Sequence, residues 1–251
     1  MIEPMGYTLR LPNSIMAVFA TYLVNYTIPR AGEVTRATIL TNYEGVPFEK
    51  GFGTIVAERV ADMVVMLGII TITLFLEFEF IYQFFSESFD PLKLVLAGMI
   101  GLLSLGILFL FIKKSSSPFA TKVRSFVSGL IEGILSIFKM KHKWAFIGHT
   151  LFIWFMYVLM FYITTLSIPE TSNLPLAAVL IGFISASFSI AATNGGIGSY
   201  PVAVYAAFSI FAIAKEPSIA FGWIMWSSQT LMIIILGGIS LIYLPIYNRT
   251  K

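Results

Sequence analysis

Six charged residues stand in stretches that are otherwise apolar enough to lie in a membrane: Arg30, Glu33, Arg36, Glu58, Arg59 and Asp62. A charge at membrane depth costs about 2.5–3.5 kcal/mol on insertion scales, so such residues are usually paired or functional. Three cations and three anions could pair fully and form a structural ion-pair network. Alternatively, Arg30 and Arg36 bind a phosphate, because a guanidinium group fits it bidentately and keeps its charge. The carboxylates would then orient the arginines or meet a cationic headgroup.

A glycine-rich segment late in the chain is a second candidate site, formed by Asn194, Gly195, Gly196 and Gly198. Glycine permits close backbone approach and positive φ angles, and free N–H groups at the start of the next helix could hold an anion. The same pattern also suits a tight crossing of two helices, and both interpretations stay open. Further polar residues could face a cavity here: Asn25, Tyr26, Thr193, Tyr200 and Gln229. The four tryptophans are interpreted as belt or packing residues: Trp144, Trp154, Trp223 and Trp226.

Composition indicates an integral membrane protein. The 251 residues are 57% hydrophobic and only 12% charged, with a mean hydropathy of +0.87, whereas soluble domains carry about 25% charged residues. Cysteine is absent, which excludes thiolate metal sites and cysteine nucleophiles. No nucleophile triad, phosphate-binding Walker loop or zinc-protease motif is present, so we expect no cofactor and no metal. The net charge of +3 does not indicate nucleic-acid binding, because the lysines concentrate in one loop beside membrane spans. Enzymatic activity is not indicated, although composition does not decide it.

Two apolar segments are too short and too broken to cross a membrane alone. Residues 14–28 end at Pro29 and Gly32, and a further helical piece follows over 33–43; a full span needs about 20 residues. We interpret this pair as a re-entrant hairpin, with one transmembrane helix followed by a surface helix as the alternative. Full spans are predicted at 48–76, 92–112, 144–168 and 217–247, and a second hairpin at 174–192 with 202–214.

The distribution of lysines predicts the orientation of the chain. Segment 115–143 is basic and has apolar residues at three- and four-residue steps, as in an amphipathic helix on a membrane surface; a soluble helix capping the bundle is the alternative. Positive loops prefer the cytoplasm, which places this segment and the C-terminus inside and the acidic loop 77–90 outside. The two hairpins then enter from opposite faces. The predicted fold is therefore an all-α polytopic bundle with two re-entrant hairpins in an inverted-repeat arrangement.

Three motifs resemble the lysylphosphatidylglycerol synthase transmembrane, or flippase-like, family. They are Pro-Arg-Ala-Gly-Glu-Val-Thr-Arg at 29–36, Gly-Thr-Ile-Val-Ala-Glu-Arg-Val-Ala-Asp at 53–62, and Asn-Gly-Gly-Ile-Gly at 194–198. The resemblance implies a polytopic helical bundle with re-entrant elements. The best understood members fuse it to a soluble aminoacyl transferase domain and translocate aminoacylated phosphatidylglycerol. Because the family pattern begins with further helices, we expect a single domain, 1–251, that lacks N-terminal transmembrane helices.

Motifs and resemblance together predict a bacterial inner-membrane protein that binds or flips a phospholipid or another lipid-linked phosphate. The expected substrate-binding set comprises Arg30, Glu33, Arg36, Glu58, Arg59, Asp62, Asn194, Gly195, Gly196 and Gly198. Two alternatives remain: a membrane-embedded aminoacyl or glycosyl transferase acting on a lipid, and a non-catalytic membrane partner of a lipid or envelope biosynthetic enzyme. A homo-oligomer is also compatible with the sequence.

Overall fold

The computed structural model describes residues 2–79, 82–83, 91–115, 117–121, 123–124, 137 and 140–249. Within these ranges all regular structure is helical, which confirms the all-α class. Eight α-helices follow in order: α1 Leu11–Thr27, α2 Gly32–Glu44, α3 Phe48–Leu76, α4 Pro91–Lys114, α5 Lys143–Thr165, α6 Leu176–Ala192, α7 Ser199–Ser209 and α8 Lys215–Tyr247. Two short 3₁₀ turns lie at Glu3–Met5 and Pro169–Thr171.

Three of the described helices, α3, α5 and α8, are long and apolar enough to cross a membrane. The predicted segment 92–112 is helical and lies within α4, while its crossing of a bilayer stays a prediction. The expected amphipathic helix at 115–143 and the acidic loop at 77–90 fall largely outside the described residues.

The chain divides into two compact units, Met1–Val65 with Met140–Lys251, and Met66–Lys139. In the second unit Arg124 closes the end of α4, since its Nη1 donates to the carbonyl oxygens of Ile112 and Lys113 at 3.0 and 3.1 Å. These carbonyls have no partner within the helix. All candidate site residues belong to the first unit, and the single domain remains a prediction.

Two pairs of helices in the first unit form antiparallel hairpins. At the open end of the first pair, where α1 begins and α2 ends, the Arg10 Nε lies 3.0 Å from the Glu44 Oε1. At its closed end the Asn25 side-chain oxygen accepts a 2.7 Å hydrogen bond from the Gly32 N–H. A Cβ at Gly32 would lie 2.3 Å from the Thr21 carbonyl oxygen, so only glycine lets α2 begin this close to α1.

The second hairpin, α6 with α7, has the same construction. Near its closed end the Ser189 hydroxyl donates to the Ser199 hydroxyl at 2.8 Å. Farther along, a Cβ at Gly182 would lie 2.7 Å from the Phe208 ring. The first helix of each hairpin has 17 residues, which is about 25 Å of helix at 1.5 Å per residue.

Helix α8 packs against both hairpins along its length. Toward its C-terminus, Leu244 packs in a buried cluster with Met16 of α1, and a Cβ at Gly237 would lie 2.6 Å from Leu23. Toward its N-terminus, a Cβ at Gly222 would lie 2.4 Å from Pro201 of α7. The first hairpin therefore lies along the C-terminal part of α8, and the second along the N-terminal part. Re-entry of either hairpin into a bilayer, and a symmetry between them, stay predictions.

An aromatic cluster connects the last four helices. Phe161 of α5 is fully buried, and its ring meets that of Phe221 at a centroid distance of 4.9 Å in an edge-to-face arrangement. The Phe183 and Phe208 rings lie 6.0 and 6.2 Å from the Phe161 ring. Aromatic pairs have preferred relative orientations, so this cluster fixes the position of the second hairpin relative to α5 and α8.

Candidate functional site

The break between α6 and α7 contacts the last turn of α1, just before the break between α1 and α2. Asn194 Nδ2 donates to the Tyr26 carbonyl oxygen at 3.2 Å. From α8, Trp226 Nε1 donates to the Gly195 carbonyl oxygen at 2.7 Å, and Thr230 Oγ1 donates to the Tyr26 hydroxyl at 3.3 Å. A Cβ at Gly195 would lie 3.0 Å from the Tyr26 ring. We call this group of contacts the tip junction.

The backbone in both breaks adopts left-handed conformations. Gly195, Gly196 and Gly198 have φ angles of 70°, 76° and 72°, which glycine adopts without steric cost. Arg30 also has a positive φ, 63°, and for a residue with a Cβ this conformation costs about 1–2 kcal/mol. The Arg30 side chain is exposed and makes no hydrogen bond, ion pair or ring contact with another described residue. Arg30 thus holds an unpaired cation at the break.

The remaining candidate charges form a network between α2 and α3. Arg36 contacts Glu58 twice, from Nη1 to Oε2 at 2.5 Å and from Nη2 to Oε1 at 3.2 Å. The Arg59 Nη1 lies 3.4 Å from Asp62 Oδ2. Glu33 accepts a long 3.4 Å hydrogen bond from Asn25, and its buried Oε2 has no partner among the described residues. Full pairing of six charges is therefore not observed: two ion pairs form, and Arg30 and Glu33 stay outside them.

Helix α5 completes this network with residues that the sequence did not single out. Trp154 Nε1 donates to Asp62 Oδ1 at 3.1 Å, so this residue does more than pack at a membrane interface. The Tyr157 hydroxyl lies 3.5 Å from that of Tyr22 on α1. The one available hint was that a carboxylate in an apolar helix needs a donor, but its identity depends on how α5 packs on α3.

Apart from Arg30, which stays outside both, the predicted site residues fall into two groups joined by α1. The tip junction contains Asn194 and Gly195, with Gly196 and Gly198 in the same break, and the ion-pair network contains Glu33, Arg36, Glu58, Arg59 and Asp62. Asn25 links the groups, because its amide contacts both Gly32 N and Glu33 and the next residue is Tyr26.

A third polar cluster lies at the open end of the first hairpin, and the sequence analysis did not predict it. Asn13 is fully buried and exchanges two 3.0 Å hydrogen bonds with the side-chain amide of Asn248. Its Nδ2 also donates to Glu44 Oε1, which pairs with Arg10. An asparagine in the first turn of an apolar helix was the only signal in the sequence. We call this group the end clamp.

The long apolar helices and the partly buried ion pairs define a helical membrane protein. Residues 1–238 match the family model described as "Lysylphosphatidylglycerol synthase TM region". The chain belongs to this family, which confirms the resemblance carried by the three motifs. No curated protein matches the chain, and no solved structure matches it.

Proposed function

We propose that this protein binds the headgroup of a phospholipid or another lipid-linked phosphate and moves it across the bacterial inner membrane. The contact between the second break and the end of α1 carries the proposal. Asn194 and Tyr26 are 168 residues apart in sequence, yet both belong to segments where a proline or glycines interrupt an apolar helix. Broken helices that meet near the middle of a membrane are typical of substrate sites in transporters.

In this proposal α8 crosses the bilayer and the hairpins enter from opposite sides. The first hairpin would enter beside the C-terminus of α8 and the second beside its N-terminus, in keeping with their packing along this helix. Irregular backbone is tolerated at membrane depth where protein or a wet cavity covers it. The headgroup would pass along the tip junction while its acyl chains stay in lipid.

Charge supports a phosphate as the recognised group. Arg30 is exposed at the first break, and two further arginines, Arg36 and Arg59, belong to the ion-pair network. Guanidinium groups bind phosphate oxygens through paired hydrogen bonds. The family match points to a lipid-related role for the membrane region. The C-terminus would be cytoplasmic, on the side of the basic residues that follow α4.

Translocation of a labelled lipid tests the proposal. Purified protein is reconstituted in liposomes containing headgroup-labelled phosphatidylglycerol, and the rate at which label moves between leaflets is measured against empty liposomes. Gly195→Ala should lower this rate at least about tenfold, because a Cβ would lie 3.0 Å from the Tyr26 ring and the φ of 70° suits glycine.

Gly148→Ala is the matched control, since nothing lies within 4 Å of a Cβ at this helical position. It should leave the rate unchanged. Wild-type protein that folds but moves neither phosphatidylglycerol nor a polyprenyl phosphate faster than empty liposomes would refute transport. Equal rates for both alanine variants would remove the tip junction from the mechanism.

A further inference from the structure

We propose that Arg59, positioned by Asp62 and Trp154, is the guanidinium of the ion-pair network that binds the phosphate, and that Arg36 is structural. This inference rests on the proposed function and reverses the expectation from the sequence, in which Arg30 and Arg36 bind the phosphate. Its ligand is a phosphate group, which is either part of a lipid headgroup or free inorganic phosphate. Three observations separate the two arginines: how many contacts each makes, how exposed each is, and what each would leave behind on release.

Arg36 already uses both terminal nitrogens on one carboxylate. Nη1 and Nη2 contact the two oxygens of Glu58 at 2.5 and 3.2 Å, the paired geometry in which a guanidinium group binds a carboxylate most strongly. Only 20% of its side-chain surface is exposed. An incoming phosphate would have to displace a carboxylate that already occupies the same two donors.

Arg59 has donors to spare. Its one described ion pair runs from Nη1 to Asp62 at 3.4 Å, and no other described residue accepts a hydrogen bond from it. A guanidinium group has five N–H donors, so most of them stay free for a ligand. Its side chain is 49% exposed, against 20% for Arg36.

Release of the carboxylate partner has different consequences at the two positions. Glu58 has no described partner other than Arg36, so its release would leave a half-buried carboxylate without a donor, which costs about 1–3 kcal/mol or more. Asp62 would keep the hydrogen bond from Trp154. Arg59 can therefore turn from Asp62 to a phosphate without leaving that carboxylate unpaired, whereas Arg36 cannot do the same with Glu58.

Trp154 can hold Asp62 because its own ring is fixed. The ring packs edge-to-face on Tyr157 at 6.0 Å and on Phe183 at 6.3 Å. Its indole N–H points to Asp62 Oδ1, while Oδ2 faces Arg59. Trp154 and Asp62 are thus positioning residues, which act on the phosphate through Arg59.

Two charge swaps test the assignment in the same protein. Arg36→Glu with Glu58→Arg rebuilds the first ion pair in reverse, and Arg59→Asp with Asp62→Arg rebuilds the second. Binding is measured as the thermal stabilisation of detergent-purified protein by phosphatidylglycerol in mixed micelles, and in a separate arm by inorganic phosphate. The first swap should bind like the wild type, while the second should lose at least about tenfold in affinity.

The arms also identify the source of the phosphate. Stabilisation by phosphatidylglycerol alone assigns the site to a lipid headgroup. Stabilisation by inorganic phosphate as well assigns it to phosphate in general. Either result supports the inference if the stabilisation depends on Arg59. Loss of binding in the first swap with retention in the second would overturn it. If a swap does not fold, Arg36→Lys and Arg59→Lys make the same comparison, because lysine keeps the charge and loses the paired donors.

Trp154→Phe separates positioning from packing. It keeps the aromatic ring and removes the N–H, so the melting temperature without lipid should change little while the lipid concentration for half-maximal stabilisation rises about threefold to tenfold. An unchanged concentration would reject the positioning role. If lipid binding depends on Arg59 but no translocation is seen, transport is refuted and the role of Arg59 in binding stands. If translocation is seen and Arg59→Gln does not change its rate, transport stands and the role of Arg59 is refuted.

Discussion

At the scale of single residues, conformation and chemistry conflict at Arg30. Glycine adopts a φ of 63° without steric cost, whereas an arginine at this position is strained. The arginine side chain is exposed and makes no described polar contact that offsets the strain. Strain of this kind tends to occur where a side chain has a function. The tip of the first hairpin therefore carries an arginine at the expense of stability.

Replacing this arginine with glycine should separate the two effects. Arg30→Gly removes about 1–2 kcal/mol of strain and adds about 0.5–1 kcal/mol of backbone entropy cost, so the melting temperature should hold or rise. Translocation of phosphatidylglycerol in liposomes should fall at least about tenfold. Arg30→Ala keeps the strain and should lose the same activity without the gain in stability. Full activity in both variants would contradict a role for the guanidinium group.

At the scale of elements, the approach of α1 to α8 depends on one of two adjacent glycines. A Cβ at Gly237 would lie 2.6 Å from the Leu23 Cβ and 2.9 Å from the Phe19 carbonyl oxygen, whereas one at Gly238 would have nothing within 4 Å. The two positions share the same helix and differ in the face they occupy. This pair therefore isolates packing from helix propensity.

Gly237→Ala should destabilise the protein by about 1–3 kcal/mol through overpacking. Gly238→Ala should be neutral or stabilising by up to about 1 kcal/mol, because alanine is the better helix former. Thermal unfolding in one detergent measures both. Equal melting temperatures for the two variants would mean that α1 and α8 do not pack as closely as the structure indicates.

The end clamp ties the same two helices at the opposite end of the first hairpin. Asn13 and Asn248 exchange both amide hydrogen bonds, so removal of either one leaves the other without its partner. Asn13→Ala and Asn248→Ala should each cost about 1–3 kcal/mol, and the double variant should cost clearly less than their sum. A double-mutant cycle in thermal unfolding measures this coupling. Additive effects would show that the two amides are independent.

At the scale of the whole molecule, the arrangement along α8 makes a prediction about sidedness. The open end of the first hairpin lies beside the C-terminus of α8, and α7 of the second packs near its N-terminus. If α8 crosses the bilayer, the two open ends face opposite compartments. The chain has no cysteine, so single cysteines can report on this directly.

Asn42→Cys and Ser209→Cys place thiols at exposed positions near the two open ends. A membrane-impermeant thiol reagent should label position 42 only from the cytoplasmic side and position 209 only from the other side. A cysteine at Pro29 should react more slowly than either from both sides, because the break would lie within the bilayer. Labelling of 42 and 209 from one side would contradict the opposite entry of the hairpins.

Most of the helices could be predicted from the sequence, and the contacts between them could not. Pro29 and Gly32 mark the first break, since proline removes a backbone donor and clashes with the preceding turn, and the glycines at 195–198 mark the second. These are local effects. The partners of Asp62 and Asn13 lie 92 and 235 residues away, and no periodicity links positions so far apart. Arg36 was expected to bind the phosphate, because charge alone does not reveal which carboxylate each arginine meets.

Trp226 and Thr230 stand one helical turn apart on α8. Trp226 hydrogen-bonds to Gly195 in the second break, and Thr230 hydrogen-bonds to Tyr26 in the last turn of α1. About 6 Å of helix axis separates them, so α8 holds both hairpins at the same level. If the protein moves a lipid as proposed, a tilt of α8 at this level would displace both hairpins together, and access from the two leaflets would change in one motion.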